Sequence, residues 1–159
     1  MLIVKHKSSG FTLIELIVVL SVAAVISLIG IASFVSYSQQ QSINTAAADI
    51  ANMFSLAKSR AASQVKPSSC SGALNGYRIS IPDIASKTYQ LDAVCSSGDS
   101  LILTNTLPSN ISFGSANSTI FTFYVLTGGF TMNGLDGTIV LSGFGKSKTI
   151  TVDSLGNVR

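Results

Sequence analysis

The chain has 159 residues, a length that suits one domain plus an anchor better than two globular domains. Apolar residues make up 47% of it and charged residues only 11%. The formal charge of +3 falls to +1 when Lys5 and Lys7, both among the first ten residues, are removed. This balance excludes a strongly basic nucleic-acid-binding domain, which usually carries a clustered basic face.

The first element in chain order is an apolar segment. Residues 16–35 form an uncharged run of 20 residues. At about 1.5 Å per residue, a helix of this length spans about 30 Å, the thickness of a bilayer's hydrocarbon core. Lys5 and Lys7 precede the run without any acidic residue, so the positive-inside rule keeps the N-terminus in the cytoplasm and sends the C-terminal part across.

Three ordinary explanations of this segment each fit the sequence poorly. A buried core helix that is apolar all round needs more surrounding protein than this chain supplies. A cleaved secretory signal has a candidate site at Ser21-Val22-Ala23, but the apolar run continues well beyond it. An unprocessed signal anchor accounts for the length and leaves Glu15 unexplained.

Glu15 is the only glutamate in the chain and lies inside the apolar stretch. A carboxylate at the centre of a bilayer costs about 2.5 to 3.5 kcal/mol on insertion scales. Such an acid is therefore expected to have a partner. We find none nearby in the chain, unless a cut in the backbone just ahead of Glu15 creates a new positive charge.

A short motif joins the basic leader to the apolar run: Gly10-Phe11-Thr12-Leu13-Ile14-Glu15-Leu16. It resembles the prepilin signature of type IV pilins and type II secretion pseudopilins. The resemblance implies that prepilin peptidase cuts between Gly10 and Phe11 and that the new amine of Phe11 is methylated. It also implies an assembly role for Glu15, whose carboxylate pairs with the N-terminal amine of a neighbouring pilin or pseudopilin subunit.

Beyond the membrane segment, apolar residues recur every three or four positions, at Ile43, Ala47, Ile50, Phe54, Ala57 and Ala61. This spacing predicts a helix whose apolar stripe contacts the core of a head domain. One helix of about 50 residues is expected to end near Gln64, just before Pro67. We therefore divide the chain into a cleaved leader (1–10), a transmembrane and assembly helix (11–35), an amphipathic helix (36–66) and a β-rich head (67–159).

After Pro67 the apolar period becomes two and turn residues are frequent. The predicted strands are 77–81, 89–95, 101–104, 111–113, 119–126, 138–142 and 149–153. The fold class is therefore α+β: a pilin-like fold in which one long N-terminal helix packs on an antiparallel sheet.

The two cysteines, Cys70 and Cys95, are too far apart in sequence for a CxxC motif. In an exported head they are expected to form a disulfide. Closing a loop of this length stabilises the head by about 3 kcal/mol in the chain-entropy model. The alternative is two buried free thiols in a reducing compartment.

Within the pilin-like families, the head resembles the GspH/FimT group of minor pilins and pseudopilins. The similarity is carried by Leu56-Ala57-Lys58-Ser59-Arg60-Ala61, by a Cys followed by a Gly-Tyr strand, and by the ending Thr149 to Arg159. Some members related to competence bind DNA through paired arginines after a glycine. Here only Arg159 follows Gly156.

No catalytic constellation is visible, because His6 is the only histidine and the aspartates are scattered. We expect no enzyme activity, no cofactor and no metal. The expected function is that of a structural minor pilin or pseudopilin in a type IV pilus or type II secretion filament. Its expected partners are prepilin peptidase, other pilin subunits and the cell membrane, with the head outside the cytoplasm, in a cell-surface or periplasmic filament.

The alternative is a pilus-associated binding module that captures DNA or a surface ligand in competence or adhesion. Lys146, Lys148 and Arg159 are the cations available to contact phosphate. On a hairpin edge, however, lysines are more often solvated charges that discourage edge pairing. Nucleic acid is therefore the less favoured partner.

Overall fold

The computed structural model describes residues 10–116, 118–134 and 136–159, except for the side chains of residues 28 and 29. The leader predictions for Lys5, His6 and Lys7 lie outside the described residues. The chain divides into two compact units, one ending at Ser38 and one running from Gln39 to Arg159. The four sequence-based segment boundaries stay predictions.

One long helix, α1, runs from Leu13 to Ala62 and contains no proline. Its end is a Schellman motif, in which the N–H of Val65 donates to the carbonyl of Arg60 and the N–H of Gln64 to that of Ala61. Gln64 adopts a left-handed backbone conformation, with φ of 51°. This motif ends the helix two residues before the position expected from the sequence.

The described residues of the head form β1 (Leu74–Ser80), β2 (Thr88–Cys95), β3 (Ser100–Thr106), β4 (Ile111–Ala116), β5 (Ile120–Tyr124), β6 (Phe130–Met132), β7 (Gly137–Gly143) and β8 (Lys146–Val152). They make two antiparallel sheets, one in the order β3-β2-β1-β5-β6 and one in the order β4-β7-β8. The predicted α+β fold class is confirmed, since one long N-terminal helix packs against antiparallel sheets.

The apolar pattern did not predict β6, and β8 begins three residues before its predicted start. The three residues of β6 are too few to show a period of two, and the strand exists through its pairing with Phe121 to Phe123. The first part of β8, from Lys146 to Lys148, is polar. It extends the hairpin because it pairs with residues 141 to 143 of β7.

The part of α1 that belongs to the second unit supplies one side of the head core. All six residues of the predicted stripe are buried, and Ala46 and Met53 are buried with them. The Phe54 ring packs edge-on against Phe121, with ring centroids 4.9 Å apart. Burial of each large apolar side chain is worth about 1.5 to 3 kcal/mol, so this stripe is a major source of head stability.

Two contacts fasten the segment that follows α1. Cys70 and Cys95 form a disulfide, as the sequence predicted, with their Cα atoms 5.8 Å apart. The hydroxyl of Tyr77 donates a hydrogen bond to the carbonyl of Val65. The segment between the helix and β1 is thereby tied to both β1 and the end of β2.

Candidate processing and assembly site

The helix start is organised by Thr12 and Glu15. The Thr12 N–H and hydroxyl donate to the same Glu15 oxygen, Oε2, at 3.0 and 2.9 Å. In return, the Glu15 N–H lies 3.4 Å from the Thr12 hydroxyl oxygen. This is a capping box, with Thr12 at the N-cap and Glu15 three residues later.

The capping box corrects one expectation about Glu15. An opposite charge was expected as its partner, and the sequence places none beside it. The structure provides two neutral donors on Thr12 instead. The T-x-x-E spacing before an apolar run was a readable signal for this cap. As an acid in the first turn, Glu15 also interacts favourably with the helix dipole.

Ahead of the cap, Gly10 and Phe11 lie outside the helix. Among the described residues, a Cβ atom built on Gly10 would have no neighbour within 4 Å, and the Phe11 side chain is 87% exposed. A peptidase needs accessible backbone at the bond it cuts, and both residues are exposed. Cleavage after Gly10, methylation of Phe11 and the assembly role of Glu15 stay predictions.

The helix that follows exposes its apolar surface. Among the described residues, one helix, α1, is long and apolar enough to cross a membrane, and the most apolar stretch has a mean hydropathy of 2.7 with none of it buried. The exposed large apolar residues of this part include Leu13, Ile14, Leu16, Ile17, Val18, Val19, Leu20, Val22, Val25, Ile26, Ile31, Phe34 and Val35. So large an exposed apolar surface marks an interaction site for protein or lipid.

Comparison with known families decides what the start of the chain is. Residues 5–31 match the family described as the prokaryotic N-terminal methylation motif. The chain carries a type IV prepilin signature. The comparisons with curated proteins and with solved structures give no match.

The prepilin signature covers Gly10, Phe11, Thr12 and Glu15 together with the first part of α1. It supports a type IV pilin-like protein that is processed by prepilin peptidase and assembles with other pilin subunits. With the apolar helix that follows, it fits a membrane-anchored pilin.

A second polar cluster lies in the head, at residues 153–157, which we name the C-terminal turn. The Asp153 carboxylate accepts hydrogen bonds from the N–H of Leu155, at 2.9 Å, and from the N–H and side-chain amide of Asn157, at 2.9 and 3.0 Å. These bonds, those from Asn157 foremost, hold the pKa of Asp153 below its usual value. Gly156 is required here, because its φ is +72° and a Cβ would lie 2.4 Å from the Phe123 ring.

Lys58 connects the C-terminal turn to α1. Its Nζ donates to the carbonyl of Leu155 at 3.2 Å and to Oδ1 of Asn157 at 2.6 Å. The helix segment and the chain ending that carry the GspH/FimT resemblance therefore contact each other. The sequence did not predict this contact, because no local pattern indicates a bond across 99 positions.

Two further charged features lie on the head. Lys148 and Arg159 line a groove of about 350 Å³ together with Asn44 and the small residues of α1. The Ser80 hydroxyl on β1 donates to Asp92 on β2 at 3.3 Å, and Arg78 on β1 pairs with Asp99, just before β3. Partial burial raises the pKa of Asp92 above its usual value.

Proposed function

We propose that the chain is a structural, non-catalytic minor pilin or pseudopilin subunit of a type IV pilus or type II secretion filament. One observation carries the proposal: the prepilin signature leads directly into an exposed apolar helix whose first turn holds Glu15. The capping box accounts for Glu15 within the single chain, but a plain membrane anchor does not require the prepilin signature that surrounds it.

Glu15 has two successive partners in this proposal. In the single chain, the donors of Thr12 reduce the cost of placing the carboxylate in a membrane. In the filament, the carboxylate faces the amine of Phe11 in a neighbouring subunit, and the pair is tolerated in low dielectric because each charge compensates the other. The exchange of neutral donors for an opposite charge favours assembly over the isolated chain.

We assign the head to the GspH/FimT group of minor pilins and pseudopilins. The Lys58 contact with the C-terminal turn supports this, because it gives the two resembling segments one shared structural role. In this role the C-terminal turn packs through Gly156 against the rings of Phe123 and Phe130. The head is then a compact unit built for presentation on a filament.

A second candidate function is capture of DNA or another anionic ligand by the head. The groove lined by Lys148 and Arg159 favours it, since none of the lining residues is acidic. Two cations neutralise only about two phosphates, so the binding would be weak at physiological salt. A purified head that shifts duplex DNA at submicromolar concentration, and loses this after neutralisation of Lys146, Lys148 and Arg159, would promote this candidate.

The main proposal is tested with Glu15→Ala. Processing and membrane insertion should persist, because the variant removes an insertion cost of about 2.5 to 3.5 kcal/mol. Incorporation into sheared filaments should fall, since an amine left without its counter-charge in a buried pair costs about 3 to 5 kcal/mol. Mass spectrometry should find that the processed chain begins with a methylated Phe11.

Ser21→Ala is the matched control, because among the described residues the Ser21 hydroxyl bonds only to the carbonyl of Val18 in the same helix, at 2.8 Å. It should leave incorporation unchanged. Normal incorporation of a correctly processed Glu15→Ala chain would refute the assembly role, and an intact leader in assembled filaments would refute the processing.

A further inference from the structure

The β7–β8 hairpin turns on two residues, Phe144 and Gly145. Both have positive φ, at 53° and 71°, and Gly143 pairs with Lys146 on either side of them. A two-residue loop of this kind is a type I′ turn, whose first position favours Asn, Asp or Gly. Phe144 therefore stands where a bulky side chain is sterically disfavoured.

Packing within the head accounts for only part of the Phe144 side chain. The Phe144 side chain is 38% exposed, and it makes no ring contact with another aromatic side chain among the described residues. Disfavoured backbone conformations persist mainly where function uses them. The exposed ring at the hairpin tip thus points to a contact outside the chain.

The charges around Phe144 indicate what kind of partner surface this hairpin fits. No acidic residue occurs between Gly137 and Val152, whereas β8 carries Lys146 and Lys148. Lys148 is exposed, and β8 is an edge strand of its sheet. A complementary surface has an apolar pocket for the ring and carboxylates beside the pocket, because interfaces match charge around an apolar centre.

We propose that Phe144 anchors the head to a neighbouring filament subunit that presents an apolar pocket bordered by carboxylates. This rests on the proposed function as a filament subunit. A buried aromatic anchor can dominate the affinity of a protein interface. Nucleic acid fits the hairpin less well, since its two lysines neutralise only about two phosphates.

Phe144→Asn tests the anchor, because asparagine suits the turn and removes the ring. The thermal midpoint of the processed full-length chain should change by less than about 4 °C, as relief at the turn offsets the lost partial burial. Incorporation into filaments should fall by about tenfold or more, the effect of losing a hot-spot residue. Leu126→Asn is the matched control: it removes an apolar side chain that is 84% exposed elsewhere on the head, and incorporation should stay within about twofold of wild type.

A photocrosslinking residue, benzoylphenylalanine at position 144, keeps the aromatic ring and identifies the partner even if Phe144→Asn folds poorly. Irradiated cells should give an adduct with another filament subunit. Adducts only with lipid or nucleic acid, normal incorporation of Phe144→Asn, or an equal loss with Leu126→Asn would overturn the anchor. Glu15→Ala measured in parallel separates the two proposals, because loss with Glu15→Ala but not with Phe144→Asn refutes the anchor alone.

Discussion

The two halves of α1 share a backbone conformation but not an environment. Up to Val35 the helix exposes large apolar side chains, including Ile14 and Phe34 at 70% each. From Ile43 to Ala61 the residues of the apolar stripe are buried in the head. The first half is apolar all round, whereas the second concentrates its apolar residues on one stripe.

This difference shows that a segment can be helical without being buried in its own domain. Most helical stability in proteins comes from packing of an apolar face rather than from propensity. The second half receives that packing from its own chain. The first half is expected to receive it from lipid and neighbouring subunits, so the same substitution should have different effects in the two halves.

The largest expected effect compares Phe54→Ala with Phe34→Ala. Phe54 is 1% exposed and packs on Phe121, so its loss should lower the free energy of unfolding of the head by about 3 to 5 kcal/mol. Phe34→Ala should change it by less than about 0.5 kcal/mol. Urea unfolding in detergent, followed by the near-ultraviolet signal of the buried Tyr77 and Tyr89, measures both. Similar losses in the two variants would break the comparison.

The second prediction concerns the Cys70–Cys95 disulfide, which belongs to the head alone. Replacing both cysteines by serine should lower the free energy of unfolding by about 3 kcal/mol, since the unfolded chain regains the freedom of the closed loop. The urea midpoint with and without reductant measures this. Reductant should have no effect on the double variant, and two free thiols in envelope protein would contradict the bridge.

The third prediction concerns the capping box of the first half. Thr12→Ala should cost about 1 kcal/mol of local helix stability, because the first turn loses its cap. Hydrogen exchange of the Glu15 and Leu16 amides, which bond to Thr12, should accelerate by about fivefold, while the urea midpoint of the head stays unchanged. Ser21→Ala is again the control. A shift of the head midpoint with Thr12→Ala would mean that the two halves are coupled in stability.

The smallest expected effect is at Asp92. Burial raises the pKa of Asp92 in the folded state, so the protonated Asp92 side chain favours folding. Its contribution to the free energy of unfolding is complete below the unfolded pKa and is lost as pH rises through the folded pKa. Asp92→Asn should therefore match wild type near pH 3 and exceed its stability at pH 7 by no more than about 0.5 kcal/mol. Thermal melts across pH test this, and an advantage for wild type at pH 7 would contradict it.

Local patterns predicted much of this molecule. The stripe from Ile43 to Ala61 followed from a spacing of three and four, and every residue in it is buried. The disulfide followed from a single pair of cysteines. The prepilin signature followed from a contiguous motif, Gly10 to Leu16. In each case the determining residues are close in sequence or have no competing partner.

Features that depend on distant residues were missed. The division of the strands into two sheets is set by pairings such as β4 with β7, which no local pattern specifies. The bonds between Lys58 and the C-terminal turn join residues that are distant in sequence and close only in the folded head. The Thr12 cap is the exception, because its T-x-x-E spacing is a local pattern that indicates a capping box.

The bond between Lys58 and Asn157 has a consequence for synthesis. The two residues are 99 positions apart, and ribosomes add about 5 to 20 residues per second. The helix segment that carries the stripe is thus synthesised roughly 5 to 20 seconds before the C-terminal turn. During this interval its apolar surface is open to chaperones and to other nascent chains, so a slow ribosome should increase aggregation of this protein.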